Sequence, residues 1–175
     1  MIRVVGGDQL SLRHRHYLKE KKIQETLEEL KIAISSLEVA NLRERRIEVA
    51  SLKTRDELYL IEGKPAFLRT EKGIFPTLFD REILESLPTI TVDAGAVPHI
   101  CNGSALMAPG IVKIEGKFSK DAIVAVKEAT HGKTIALVTA LLDSEEMTRT
   151  KKGKVAVNIH YVGDKLWDAY KNLPQ

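Results

Sequence analysis

Along the first half of the chain the spacing of apolar positions changes several times. Leu10, Leu12, His14 and His16 alternate with Ser11, Arg13 and Arg15, the period of two expected of a half-buried strand. That period puts Arg13 and Arg15 on one face. Ile23, Leu27 and Leu30 then follow i, i+4, i+7 spacing, which predicts an amphipathic helix over 19–30. A second short helix is predicted around 37–42. Alternation returns over 47–52. Next, the segments 57–61 and 66–69 flank the turn residues Glu62-Gly63-Lys64-Pro65 and form a predicted hairpin. Phe75-Pro76-Thr77-Leu78 leads into a short helix over 80–86, with Asp80 placed to cap it. Pro88 stops that helix because it disfavours helical backbone at Leu87 before it. Leu87-Pro88 is therefore the expected boundary between two domains, 1–88 and 89–175.

The second half predicts mostly strands, at 90–92, 106–114, 122–127, 134–141 and 155–162, punctuated by glycines from Gly95 to Gly163. Short strands at this spacing suggest a small barrel. Helical turns are expected near Ala94, over 144–149 and over 165–171. The fold class is α+β.

Composition narrows the function. Lys and Arg total 27 against 24 for Asp and Glu, a net charge of +3, too small by itself to signal nucleic-acid binding. The charge is clustered, however. RHRHYLKEKK (13–22) holds five Lys or Arg against one Glu, and RTKKGK (149–154) holds four basic residues and no acid. Each run fits either a solvated face or a phosphate-binding one. The single cysteine, Cys101, rules out an internal disulfide framework, and its apolar neighbours suit an inert buried thiol. No apolar run is long enough to span a membrane, and Met1–Gly7 is too short for a leader's apolar region. A reducing cytoplasm fits. The chain has no G-x-S-x-G, H-E-x-x-H, Walker A or G-x-G-x-x-G motif, so no catalytic residue, cofactor or nucleotide loop is expected. His14-Arg15-His16 offers two ligands without a second pair nearby, so no metal site is expected.

The informative segment is VDAGAVPHICNGSALMAPGI, residues 92–111. It is dense in small residues around a predicted short helix. Asp93 is placed to accept backbone N–H bonds from the turn that follows. Pro109-Gly110 reads as another turn. Tight packing of a helix over a barrel mouth accounts for these. Gly95, Ala96 and Gly103, gathered at one end, also fit a bare surface where a phosphate or base could meet the backbone.

The same segment, followed by KKGKVAVNIHYVGDKLW, resembles the PUA domain of pseudouridine synthases and archaeosine transglycosylases. Six elements match in order: Val92 to Ala96, Gly103-Ser104, Pro109-Gly110-Ile111, Gly153-Lys154, Ile159-His160 and Asp164 to Trp167. Upstream, ELYLIEGKPAFLRTEKGIFPTL (57–78) is similar to the segment before PUA in the family of the multiple-copies-in-T-cell-lymphoma protein and its archaeal relatives. The resemblance implies a mixed α/β pre-PUA domain, 1–88, followed by a PUA β-pseudobarrel, 89–175. It implies a non-catalytic RNA-binding protein acting in translation, on a tRNA acceptor end or ribosomal RNA, in an initiation- or recycling-type role. RNA is the implied partner, with the small ribosomal subunit and a SUI1-type translation factor beside it.

Carried onto this chain, the family's RNA groove gives Gly95, Ala96, Val97, Gly103, Ser104, Ala105 and Met107 as backbone-approach and base-contact positions. Lys151, Lys152 and Lys154 would supply phosphate contacts. Arg13 and Arg15 are a second candidate RNA surface. His160 and Trp167 match family positions and are read as core packing. Two other functions stay open: an RNA-specificity subunit serving a separate RNA-modifying enzyme, and a protein-interaction adaptor for a translation factor.

Overall fold

The structure, a computed structural model, describes residues 13–34, 37, 42–52 and 56–171. The start of the predicted first strand (Leu10 to Leu12) and the middle of the predicted second helix lie outside the described residues. The described chain falls into two compact units, one ending at Ser86 and the other starting at Leu87.

The first unit is an antiparallel sheet in chain order: β1 (Arg13–Tyr17), β2 (Ile47–Ser51), β3 (Glu57–Ile61), β4 (Lys64–Thr70) and β5 (Gly73–Pro76). Two helices accompany it, α1 (Glu20–Ala33) and α2 (Arg81–Ser86). The β3–β4 turn is tighter than predicted. Glu62 and Gly63 alone make it, at φ +50° and +80°, the pair of left-handed conformations of a type I′ hairpin. Lys64 and Pro65 therefore belong to β4. Pro65 has no N–H to offer, but β5 pairs only with Phe67 to Thr70, so Pro65 lies beyond its end. The strand β5 has no counterpart in the predicted elements.

A second correction concerns β1. Arg13 pairs with Ser51 and Arg15 with Ala50, so two steps on β1 span one on β2. The resulting bulge at His14 breaks the two-residue period. Alternation therefore no longer places Arg13 and Arg15 on one face, nor His14 and His16. Of Arg13 only the backbone is described.

As expected, α1 turns an apolar stripe inward, burying Leu27 and Leu30 with Thr26. Arg69 fastens it to the sheet. Its guanidinium pairs with Glu29 on α1 and, at 3.3 Å, with Glu57 on β3, and lies 5.1 Å from the Tyr59 ring centroid. Asp80 caps α2 as predicted, its Oδ1 accepting from the Ile83 N–H at 3.2 Å.

The second unit comprises β6 (Thr89–Val92), α3 (Val97–Ile100), β7 (Leu106–Met107), β8 (Ile111–Glu115), β9 (Ile123–Glu128), β10 (Thr134–Ala140), α4 (Ser144–Arg149), β11 (Lys154–Tyr161) and α5 (Lys165–Lys171). Its sheet runs β7-β11-β10-β9-β6-β8, with β6 and β9 parallel. The single strand predicted over 106–114 is broken in two. Pro109-Gly110 sits in a 3-10 turn, Ala108–Gly110, between β7 and β8. These are the first and last strands of the sheet order, yet three residues join them. The sheet must therefore curl until its edges approach, and the result is a half-barrel. Ile90, Val92, Ile100, Leu106, Val124 and Val138 fill it with other apolar side chains. His160 is buried, as its core reading predicts, with Nδ1 2.6 Å from Asp164 Oδ2.

Candidate functional site

The run of small residues after β6 wraps around a cavity of about 540 Å³. Its walls come from three pieces of chain: the turn at Asp93 to Ala96, the end of α3 with the loop after it, and β7 with its 3-10 turn. This volume lies in the range of small-molecule pockets.

Each wall has a local cause. Asp93 is fixed at both ends: its N–H donates to Gly110 O at 3.0 Å, and its Oδ1 accepts from the Ala96 N–H at 2.8 Å. Gly110 has no room for a side chain, since a Cβ there would come within 2.9 Å of Ala96 Cβ. On the far wall, Asn158 of β11 is buried. Its Nδ2 donates to Ile100 O at 2.9 Å and to Ser104 O at 3.2 Å, so one side chain holds both ends of the loop that closes the pocket.

Of the predicted groove residues, Gly95, Ala96, Ser104, Ala105 and Met107 line the cavity. Met107 is 48% exposed, an apolar side chain offered to solvent at the rim. Val97 and Gly103 do not line it. Val97 packs against the half-barrel core. Gly103 stands at φ +78°, and a Cβ there would lie 3.0 Å from the Tyr161 ring. Its bareness serves the left-handed turn and the tyrosine. Cys101 also packs on the core, and burial pushes its thiol pKa up, away from the reactive thiolate.

The three lysines are exposed and adjoin the rim. Lys154 pairs with Met107 across β11 and β7, and Gly153 O accepts from the Ala108 N–H at 2.9 Å. The loop carrying Lys151 and Lys152 thus runs beside the pocket's outer strand. Among the described residues no carboxylate pairs with any of the three.

Arg15, in the first unit, is differently placed. Both its Nε and its Nη2 donate to the Glu48 carboxylate, the latter at 2.9 Å. Much of its charge is answered within the chain.

Sequence reasoning did not assign three residues to the site. The sequence marks Asp93 only as a cap, whereas it is also a wall. His99 lines the cavity from a helix too short to show a periodic face. Asn158 sits in an alternating strand, where a polar residue reads as solvent-facing; here it is buried and paired with the carbonyls of Ile100 and Ser104.

Residues 88–162 match the PUA domain, and residues 14–79 match a domain of unknown function, DUF1947. An uncharacterised protein of Methanocaldococcus jannaschii is 31% identical over 91% of this chain and 98% of its own. Malignant T-cell-amplified sequence 2 of Homo sapiens is 31% identical over 69% of this chain and 70% of its own. Translation machinery-associated protein 20 of Saccharomyces cerevisiae is 25% identical over 72% and 74%.

Proposed function

The chain belongs to the family of PUA-domain proteins that includes translation machinery-associated protein 20 and malignant T-cell-amplified sequence 2, and on that premise we propose that it is a non-catalytic RNA-binding protein of translation. The observation that carries this reading is the pairing of an uncharged-to-acidic pocket with a cationic rim. Lys151, Lys152 and Lys154 stand beside β7, and the cavity behind it has no lysine or arginine among its walls. Lysines attract any RNA backbone. The pocket takes an unpaired nucleotide, with Met107 and the bare turn at Gly95 and Ala96 against the base.

A duplex cannot present such a nucleotide, because its bases are stacked and paired. A tRNA acceptor end can, and the favoured RNA is therefore one with a single-stranded 3′ tail. In this reading residues 1–88 and 89–175 act as separate domains in the cytoplasm, with the small ribosomal subunit and a SUI1-type factor as neighbours. The test compares one tRNA with and without its CCA tail at a single salt concentration. The complete tRNA binds more tightly by at least about 1 kcal/mol, the low end for one stacked base. Equal affinities overturn the acceptor-end reading and favour ribosomal RNA.

A further inference from the structure

We propose that Asp93 makes the pocket selective for bases that carry an exocyclic amine, cytosine and adenine, over their keto counterparts. The inference rests on the reading above that an unpaired base enters this cavity, and adds what the cavity would read.

Among the described residues that line the pocket, hydrogen-bonding side chains are few. His99 can donate or accept according to its tautomer, and the Ser104 hydroxyl can do either by rotating. Neither imposes a polarity. Asp93 does, because an ionised carboxylate only accepts. One oxygen, Oδ1, is occupied by the Ala96 N–H at 2.8 Å. Among the described residues no donor reaches Oδ2, and Asp93 is exposed at the wall. Its orientation is fixed by that cap and by the hydrogen bond from its own N–H to Gly110 O. A pre-oriented acceptor discriminates better than one that must be ordered on binding.

Cytosine offers N4–H₂ and adenine N6–H₂ to such an acceptor. Uracil and hypoxanthine put a carbonyl oxygen at the same positions, which a carboxylate repels. The same negative charge, with no cation among the walls, turns phosphate away and leaves it to the lysines outside. Asp93 is thus a specificity residue, and its capping hydrogen bond is what aims it.

The test uses the full chain and a short RNA hairpin with a single-stranded 3′ overhang of cytidine, uridine, adenosine or inosine, and a blunt hairpin as reference. Each change from amine to keto is nearly isosteric. The wild type is expected to bind cytidine over uridine and adenosine over inosine by about tenfold or more, the low end for one charge-assisted hydrogen bond. Asp93→Asn keeps an oxygen for the cap and turns an NH₂ toward the base. It should erase or invert both preferences while leaving the melting temperature and salt dependence as they were. Preferences that survive in Asp93→Asn overturn the proposal. So does a wild type that favours every overhang equally over the blunt hairpin, an outcome that leaves the base-pocket reading standing. A wild type that does not distinguish overhang from blunt end refutes both. The wild-type comparison decides even if the variant fails to fold.

Discussion

Replacing Lys151, Lys152 and Lys154 together by alanine tests the division of labour at the site. All three are exposed and without a carboxylate partner among the described residues, so none of their charge is already compensated within the protein. Lysines that contact phosphates release condensed counterions, at about 0.7 per contact on a single strand and about 0.9 on a duplex. Three contacts therefore set a loss of slope, in log K against log salt, of about 2.1 to 2.7. Raising salt from 50 to 200 mM should weaken the wild type about 20- to 40-fold more than the variant. Fluorescence anisotropy with one labelled RNA over a salt series measures both slopes. Lys113→Ala is the control, since its Nζ lies 2.8 Å from Glu115 and its charge is largely answered. A triple variant with the wild-type slope would make this loop an ordinary solvated face.

Three further outcomes follow from the geometry. Gly103→Ala should lower stability by at least about 1 kcal/mol, because an L residue is disfavoured at φ +78° and its Cβ would press on Tyr161; an unchanged denaturation midpoint would show that the turn relaxes freely. Asn158→Leu removes the side-chain donor to Ile100 O and Ser104 O and should cost about 1–3 kcal/mol. It should also blunt the preference for overhang over blunt RNA, and urea denaturation with the same binding assay reads both. The third concerns acid. The Arg15 hydrogen bond holds the Glu48 carboxyl below its ordinary value of 4.5. Its stabilisation is therefore complete above that value and is lost as pH falls through the lower folded one. Arg15→Ala should melt below wild type near neutrality and converge with it in acid; a gap that stays constant with pH would assign the effect to packing.

Helices α2, α4 and α5 were legible because their caps and stops are written in single residues, Asp80 and Pro88 among them. The six strands of the half-barrel were legible as five β-branched runs, one of which Pro109-Gly110 splits into β7 and β8. β5 escaped because four residues ending in Pro76 carry too little pattern; it is a strand by virtue of pairing with β4. Glycine was the least legible residue at the site. Gly95, Gly103 and Gly110 carry the same letter, yet Gly103 answers to Tyr161 and a positive φ, and Gly110 to Ala96. Those causes are tertiary contacts with distant residues, which local spacing does not record. The same holds for the bulge at His14, a mismatch between two strands that neither shows alone.

Asn158 and Ile100, joined by one hydrogen bond, are 58 residues apart in the chain. A growing polypeptide leaves the ribosome from its N-terminus at roughly 5–20 residues per second. For several seconds of synthesis the segment with Asp93, Gly95 and Ala96 is outside while its far wall has no anchor and β7 has no partner. The pocket is therefore among the last features of the half-barrel to form. A chain released before β11 would keep Arg15 and the hairpin of the first unit yet hold no closed cavity, so premature termination would separate the early-folding half from any RNA recognition.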